Sequence, residues 1–382
     1  MLKASGLGKS ATLGRLGLAD SGETGPVTHR WVYLLWLAGC GNPSPGETQT
    51  MATDADTTTA DAVTSTEATS TTSGAAGSSS EPPISTGSSS GLTATASSSG
   101  STPSRLQHFG FVGVSCMVDD PYDAEGPRNY VDEVAAFTNI AHLCPLDIDI
   151  TAQAGEIVDA GGRAFIDLTQ ILFEAVPGEA PVGTGSQLRL RSDAATLFGA
   201  FVEASAPVLD SEHVAAFYLV DEPIWNGTPP REIAAAATLV DDTFPNIPIM
   251  VIEAYPVVEE AVFPEGVDWV GFDRYLVPDP SSDPTYLAEL ETVRARATDE
   301  QDLVIILDAQ WFSLYEEVPL SQKDMEDVAR HTYKLAMSRD DVVAVIGYTW
   351  PGGLDVPEQR GARSLPEGVQ AAYREIGQAI VD

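Results

Sequence analysis

Carboxylates and aromatic rings close one apolar run after another in this 382-residue chain. Asp167 ends "RAFID", Asp221 and Glu222 end "AAFYLVDE", and Glu253 with Tyr255 ends "PIMVIEAY". Further along, Asp273 and Tyr275 stand in "VGFDRY", Asp308, Gln310 and Trp311 in "LVIILDAQW", and Tyr348 and Trp350 in "VIGYTW". Acids and aromatics with few cations among them suit a sugar. Glycosidic bond cleavage takes two Asp or Glu side chains, one to give a proton and one to act as nucleophile or activate water, and rings supply broad apolar faces. Trp311 and Trp350 read equally well as stacking platforms or as packing.

Other chemistries fit less well. The only lysines are Lys3, Lys9, Lys323 and Lys334, none of them at the end of an apolar run, which argues against a Schiff base. The five histidines are scattered, without the paired spacing of a metal site, and His142 reads as a core histidine. A formal charge of −36 opposes nucleic-acid binding, which depends on Lys and Arg neutralising phosphates, and favours a neutral or cationic ligand. No cofactor and no metal is expected.

The elements that would position these residues follow from hydrophobic patterning. Eight runs read as continuous rather than alternating strands, as in a parallel sheet covered on its outer face: 108–117, 137–144, 163–170, 214–222, 248–255, 267–275, 303–311 and 342–350. Amphipathic stretches lie between them, among them "PPREIAAAATLVDDTF" with proline in its first turn and "LSQKDMEDVARHTYKLAMS". After the fifth strand, "PVVEEAVFPEG" allows only a short helix. Eight such units predict an α/β fold, a (β/α)₈ TIM barrel, with its site at the C-terminal ends of the strands. A doubly wound sheet that binds a dinucleotide would want a glycine-rich turn after its first strand, and "GVSCMVDD" is not one. Alternation along strand four puts Tyr218, Val220 and Glu222 on one face and turns Asp221 outward, unless the strand end is bulged.

The "DEP" after strand four, "VGFDRY" on strand six and "GYTWPGG" on strand eight resemble barrel glycoside hydrolases of the clan A type. The resemblance implies an acid/base at Glu222 and a nucleophile after strand seven, where Asp308 stands in place of that clan's Glu. Asp221 likewise stands in place of the usual Asn. Asp308 is thus the leading second carboxylate, with Glu253 and Asp273 in reserve; it reads alternatively as a substrate-binding group or a partner of Arg274. Asp167, Asp221, Glu253, Tyr255, Asp273, Tyr275, Gln310, Trp311, Tyr348 and Trp350 are the expected substrate-binding set.

The N-terminal region is of another kind. No Phe, Trp or Tyr occurs from Leu37 to His108, and segments such as "STGSSSGLTATASSSG" cannot bury enough apolar surface to offset their ordering entropy. Residues 41–104 are expected to be a disordered linker spanning roughly 45 Å root-mean-square. Just before it, "HRWVYLLWLAGC" resembles a bacterial lipoprotein signal peptide with its lipobox. That resemblance implies cleavage before Cys40, lipidation of its sulfur and a membrane anchor on the cell envelope, the domain lying in the periplasm or outside the cell. The preceding stretch is long for a signal n-region and contains Asp20 and Glu23, which suggests translation from near Val27. The expected organisation is a signal peptide (1–40), a linker (41–104) and a monomeric barrel domain (105–382). Cys116 and Cys144 remain as either a disulfide or two buried thiols. The expected function is hydrolysis of a neutral polysaccharide or oligosaccharide at the cell surface, or glycan binding on a degenerate barrel.

Overall fold

The computed structural model describes residues 105–145, 149–183 and 185–382. The expected signal peptide, the lipidation site Cys40 and the 41–104 linker lie outside them. The described chain is a closed, all-parallel barrel of eight strands. These are β1 (His108–Ser115), β2 (Ile140–Leu143), β3 (Arg163–Asp167), β4 (Val214–Asp221), β5 (Ile249–Ala254), β6 (Trp269–Asp273), β7 (Asp302–Asp308) and β8 (Val342–Tyr348). Each pairs with its neighbours in sequence, and β8 closes onto β1 through His108 opposite Ala344 and Phe111 opposite Gly347. Nearly every strand residue is buried. Burial on both faces explains why the strands read as unbroken apolar runs.

All eight predicted strands are present. The predicted range of β6 overruns the strand by two residues into a loop at the C-terminal mouth, and that of β7 by three, the last two of which, Gln310–Trp311, form a separate short strand antiparallel to Arg360–Gly361. The short segment after β5 is a 3₁₀ turn, Tyr255–Val257. A second two-stranded element was not predicted either: after β3 the chain makes an antiparallel hairpin, Phe173–Pro177 with Ser186–Leu190, before its helix Ala194–Ser205. Its first strand is largely exposed, so it lacks the apolar run by which the barrel strands were found.

The helices begin where the sequence provides caps. The Asp283 carboxylate accepts from the N–H groups of Thr285 (2.9 Å) and Tyr286 (2.7 Å) ahead of Pro284–Arg296, and Pro230 opens Pro230–Asp241. The last helix, Glu367–Val381, lies against β1. It comes close enough that a methyl group on Gly377 would overlap the Phe137 carbonyl oxygen. Gly377→Ala is therefore expected to lose about 1–3 kcal/mol by overpacking, read as a lower urea midpoint.

Cys116 and Cys144 form a disulfide (Cα–Cα 4.7 Å) that ties the chain just beyond β1 to the chain just beyond β2. Bridging 28 residues, it is expected to stabilise the domain by about 3–4 kcal/mol through loop-closure entropy. The Cys116→Ser/Cys144→Ser double variant should show that loss in denaturant unfolding. Among the described residues no helix is long and apolar enough to cross a membrane.

Candidate active site

β4 does not end as a regular strand. Its register against β5 slips between Tyr218 and Val220, and Glu222 takes a positive φ of 41°. The slip is a bulge, which releases Asp221 from strict alternation. Asp221 and Glu222 consequently line the same cavity, and the Tyr218 hydroxyl donates to Asp221. Holding a non-glycine residue at positive φ costs of order 1 kcal/mol and is tolerated where the surroundings over-determine it. Glu253 supplies that support. Its carboxylate accepts from the N–H groups of Ile224 (2.8 Å), Trp225 (3.2 Å) and Ala254 (3.1 Å), pinning the turn that follows Glu222. Burial pushes Glu253 up to about 8, against those three donors.

The cavity lies inside the barrel mouth and measures about 20 Å³, room for roughly one water. Four acids line it: Asp221, Glu222, Asp273 and Asp355. The rings of Tyr218, Tyr275 and Tyr348 complete its walls over Val112, Ile252 and Ile306. Among the described residues no Lys, Arg or His lines it. Tyr275 and Tyr348 lie against each other, ring centroids 5.6 Å apart.

Glu222 is 3% exposed, and its Oε2 has no hydrogen-bond partner among the described residues. Burial, then the charges of Asp273 and Asp221, push its carboxyl well above the usual range. It holds its proton more tightly than an ordinary glutamate and shares a hydrogen bond with Asp273. Asp273, which also accepts from the Tyr275 hydroxyl (3.2 Å), is raised by burial to about 6. Asp355 is likewise raised by burial to about 6, and Asp221 to about 7. As pH rises, Asp273 and Asp355 lose their protons first and Glu222 keeps its own. Environments that push carboxyl pKa values apart in this way assign acid and base roles.

Asp355 belongs to the loop after β8 and accepts from the Tyr348 hydroxyl (2.7 Å) and Gln359 Nε2 (2.8 Å). Sequence reasoning missed it, because "GGLDVPEQ" is a loop with no periodicity to say which way its acid turns. Gln310 reaches the cavity only indirectly, accepting from the same Gln359 amide.

Other predicted residues have different duties. Asp308, expected opposite Glu222, does not line the cavity. Its carboxylate accepts from the Leu276 N–H (2.9 Å) and the Tyr315 hydroxyl (2.5 Å), so it holds the loop carrying Tyr275. Asp273 takes the place beside Glu222. Arg274 pairs with Glu289 rather than Asp308, and lies over the Tyr255 ring at 4.6 Å. Trp350 is packing: it contacts Phe111 (5.0 Å) and donates its indole N–H to Glu133 (2.8 Å). Trp311 is buried against Tyr315 (5.1 Å). Asp167 accepts from the Thr169 N–H (2.7 Å). His142 is held neutral, burial taking it down to about 3; its Nδ1 accepts from the Gly113 N–H (3.2 Å) and its ring stacks on Phe165.

No protein-family model matches the chain, and no curated protein matches it in sequence. Solved structures similar to it include a glucosidase from Croceicoccus marinus (14% identity, 72% of this chain and 70% of that one, TM-score 0.48). A GH113 β-1,4-mannanase matches at 9% identity over 72% of this chain and 98% of that one, with a TM-score of 0.46. Xylanase 10B from Thermotoga maritima matches at 12% identity over 72% and 96%, with a TM-score of 0.45. These neighbours are glycoside hydrolases at low identity. The functional reading rests on this chain's own residues.

Proposed function

We propose that the barrel hydrolyses a glycosidic bond, with Glu222 as proton donor. The observation that carries this reading is a Glu222 buried in the lining of the barrel-mouth cavity, bonded to the Asp273 carboxyl and pushed well above the usual range by burial and by the charges of Asp273 and Asp221. As the bond between the anomeric carbon and the glycosidic oxygen breaks, Glu222 gives its proton to the departing oxygen. The ionised Asp273 and Asp355 stabilise positive charge growing on the sugar ring. Water supplies hydroxide to the anomeric carbon, and its remaining proton passes to a carboxylate. A sugar ring is far larger than one water, so Tyr275 and Tyr348 must separate and Glu222 must leave Asp273 as substrate arrives. In the same proposal the chain is exported and held at the cell envelope by lipid on Cys40, the barrel working as a monomer at the end of the 41–104 tether.

Two observations favour a second reading, a glycan-binding barrel without turnover. The cavity is small, and Glu222 and Asp273 are in direct hydrogen-bonding contact, whereas retaining pairs stand about 5–5.5 Å apart and inverting pairs about 6.5–9.5 Å apart. The deciding experiment offers a panel of polysaccharides and aryl glycosides to the full-length chain, with Glu222→Gln beside it. Turnover lost in the variant supports the hydrolase. Absence of turnover, with glycan binding equal in both proteins, supports the binding protein.

A further inference from the structure

The histidines stand apart in the sequence, but the fold gathers one of them with two sulfurs. Cys116 lies just beyond β1, Cys144 just beyond β2, and His142 within β2. One ligand atom from each of the three falls within 4.8 Å of the others. None of the three lines the acid-walled cavity, and neither the hydrolase nor the glycan-binding reading uses them.

The His142 ring meets the sulfurs in a defined orientation. Its Nδ1 accepts from the Gly113 N–H (3.2 Å), so in the neutral ring that nitrogen carries the lone pair and Nε2 the proton. The same Nδ1 stands 3.4 Å from Cys116 Sγ and 4.0 Å from Cys144 Sγ. On the far side, Asp167 Oδ2 lies 3.9 Å from Nε2, about an ångström beyond a hydrogen bond. Imidazoles that bind metals are ordinarily backed by such a carboxylate, which fixes the tautomer and raises the basicity of the ligating nitrogen. Phe165, stacked on the ring at 4.9 Å, holds its plane.

The distances suit a tetrahedral metal. Around zinc, thiolate sulfurs at about 2.3 Å and an imidazole nitrogen at about 2.0–2.1 Å leave sulfur about 3.6 Å from nitrogen and about 3.8 Å from sulfur. The two sulfur–nitrogen distances here lie on either side of the first value. Only the sulfurs, bonded to each other in the disulfide, have to part. Both cysteines are half-buried, open to a reductant, a metal and a water for the fourth position, while His142 is fully buried behind them.

We propose that Cys116, His142 and Cys144 form a redox-gated site for a thiophilic cation, zinc(II), closed by the disulfide and opened by its reduction. A dithiol reductant gives two electrons and two protons to the bridge and becomes a disulfide itself. Zinc then displaces the two thiol protons to solvent and takes the Nδ1 lone pair, at the cost of the Gly113 hydrogen bond. The bound metal reties the ends of β1 and β2 that reduction releases.

The test uses the full-length chain, reduced anaerobically with a phosphine, which takes the oxygen of one water to become the phosphine oxide. Freed of phosphine, the protein is titrated with cobalt(II), a coloured substitute for zinc. The reduced chain is expected to bind cobalt with the sulfur-to-metal charge-transfer absorption and strong visible bands of a tetrahedral thiolate site. Zinc should abolish both by displacement, and the untreated disulfide form should show neither. Zinc should also raise the Tm of the reduced chain and leave that of the oxidised chain unchanged. Cys116→Ser/Cys144→Ser retains Cys40, the chain's only other cysteine, and should lose the absorption. His142→Gln should weaken binding at least about tenfold, with thermal unfolding alongside to show that it folds. If it does not fold, Asp167→Asn, expected to weaken binding about 10–100-fold, takes its place. The site is overturned by absence of the bands in reduced, folded protein, by bands that persist in the double cysteine variant, or by unchanged affinity in the folded His142 or Asp167 variant.

Discussion

Glu222→Gln is expected to lower the hydrolytic rate by about 10²–10⁴-fold, the usual contribution of a positioned general acid. Gln matches Glu in size and can still donate a hydrogen bond to Asp273, so the cavity should keep its shape. What is lost is the transferable proton. The loss should therefore fall on kcat and depend on the leaving group. A dinitrophenyl glycoside, whose departing oxygen needs little protonation, should lose far less than a glycan or an alkyl glycoside. The pH profile offers an independent readout. The wild-type rate should rise as Asp273 and Asp355 ionise, each near 6, and fall on the alkaline side as Glu222, held well above the ordinary range, loses its proton. In the variant the alkaline limb should vanish. An equal loss for good and poor leaving groups would sink the proton-donor assignment, as would an alkaline limb that persists.

The second large effect concerns stability. Folding raises Asp273 and Asp355 from 3.8 to about 6 and Asp221 to about 7, in each case chiefly through burial. Below about pH 4 these groups are protonated in both the folded and the unfolded chain and contribute no difference. As pH climbs from 4 to 7 the unfolded chain gives up protons that the folded chain keeps, so the folded state loses stability across that window. For one such aspartate the loss comes to about 3 kcal/mol, and mutual coupling makes the total less than a simple sum. Glu253, raised to about 8, extends the decline. The ion-paired acids act in the opposite sense. Glu133 beside Arg363, and Asp341 beside Arg339, are held below their ordinary values, and their contribution disappears only as pH falls through those lowered values. Tm by scanning calorimetry should therefore peak near pH 5 and decline toward pH 8. Asp273→Asn, which removes one buried ionisation, should flatten the decline. A Tm that is constant or rising from pH 5 to 8 would show that the barrel mouth is solvated far better than its burial indicates.

The disulfide and the acid cluster bear on each other. Cys116–Cys144 braces the ends of β1 and β2, while Glu253 and Asp308 each spend a carboxylate on backbone N–H groups of the mouth loops. Glu253 thus fixes the turn after Glu222, and Asp308 the loop after Asp273. This explains why so many strands end in Asp or Glu when only some of those residues meet the cavity.

The eight-stranded framework of the barrel was legible in the order of residues. Continuous apolar runs buried on both faces mark all eight strands, because burial acts on each strand locally and leaves its signature there. Glu222 was legible for the same reason: a carboxylate ending such a run must lie at the barrel's C-terminal mouth. Its partner was not. Asp308 and Asp273 end their strands with equal clarity, and nothing along the chain says which will turn toward Glu222 and which will bind Leu276 and Tyr315. Asp355 lies in a loop with no repeating pattern, and Asp221 reaches the cavity through a bulge that breaks the alternation by which its direction was judged. Trp311 and Trp350 could equally have been platforms or packing, since an indole serves both. Periodicity tells which residues share a face of one strand; which side chains meet across the barrel depends on register, bulges and loop closure among strands far apart in sequence, and these exist only once the barrel has closed.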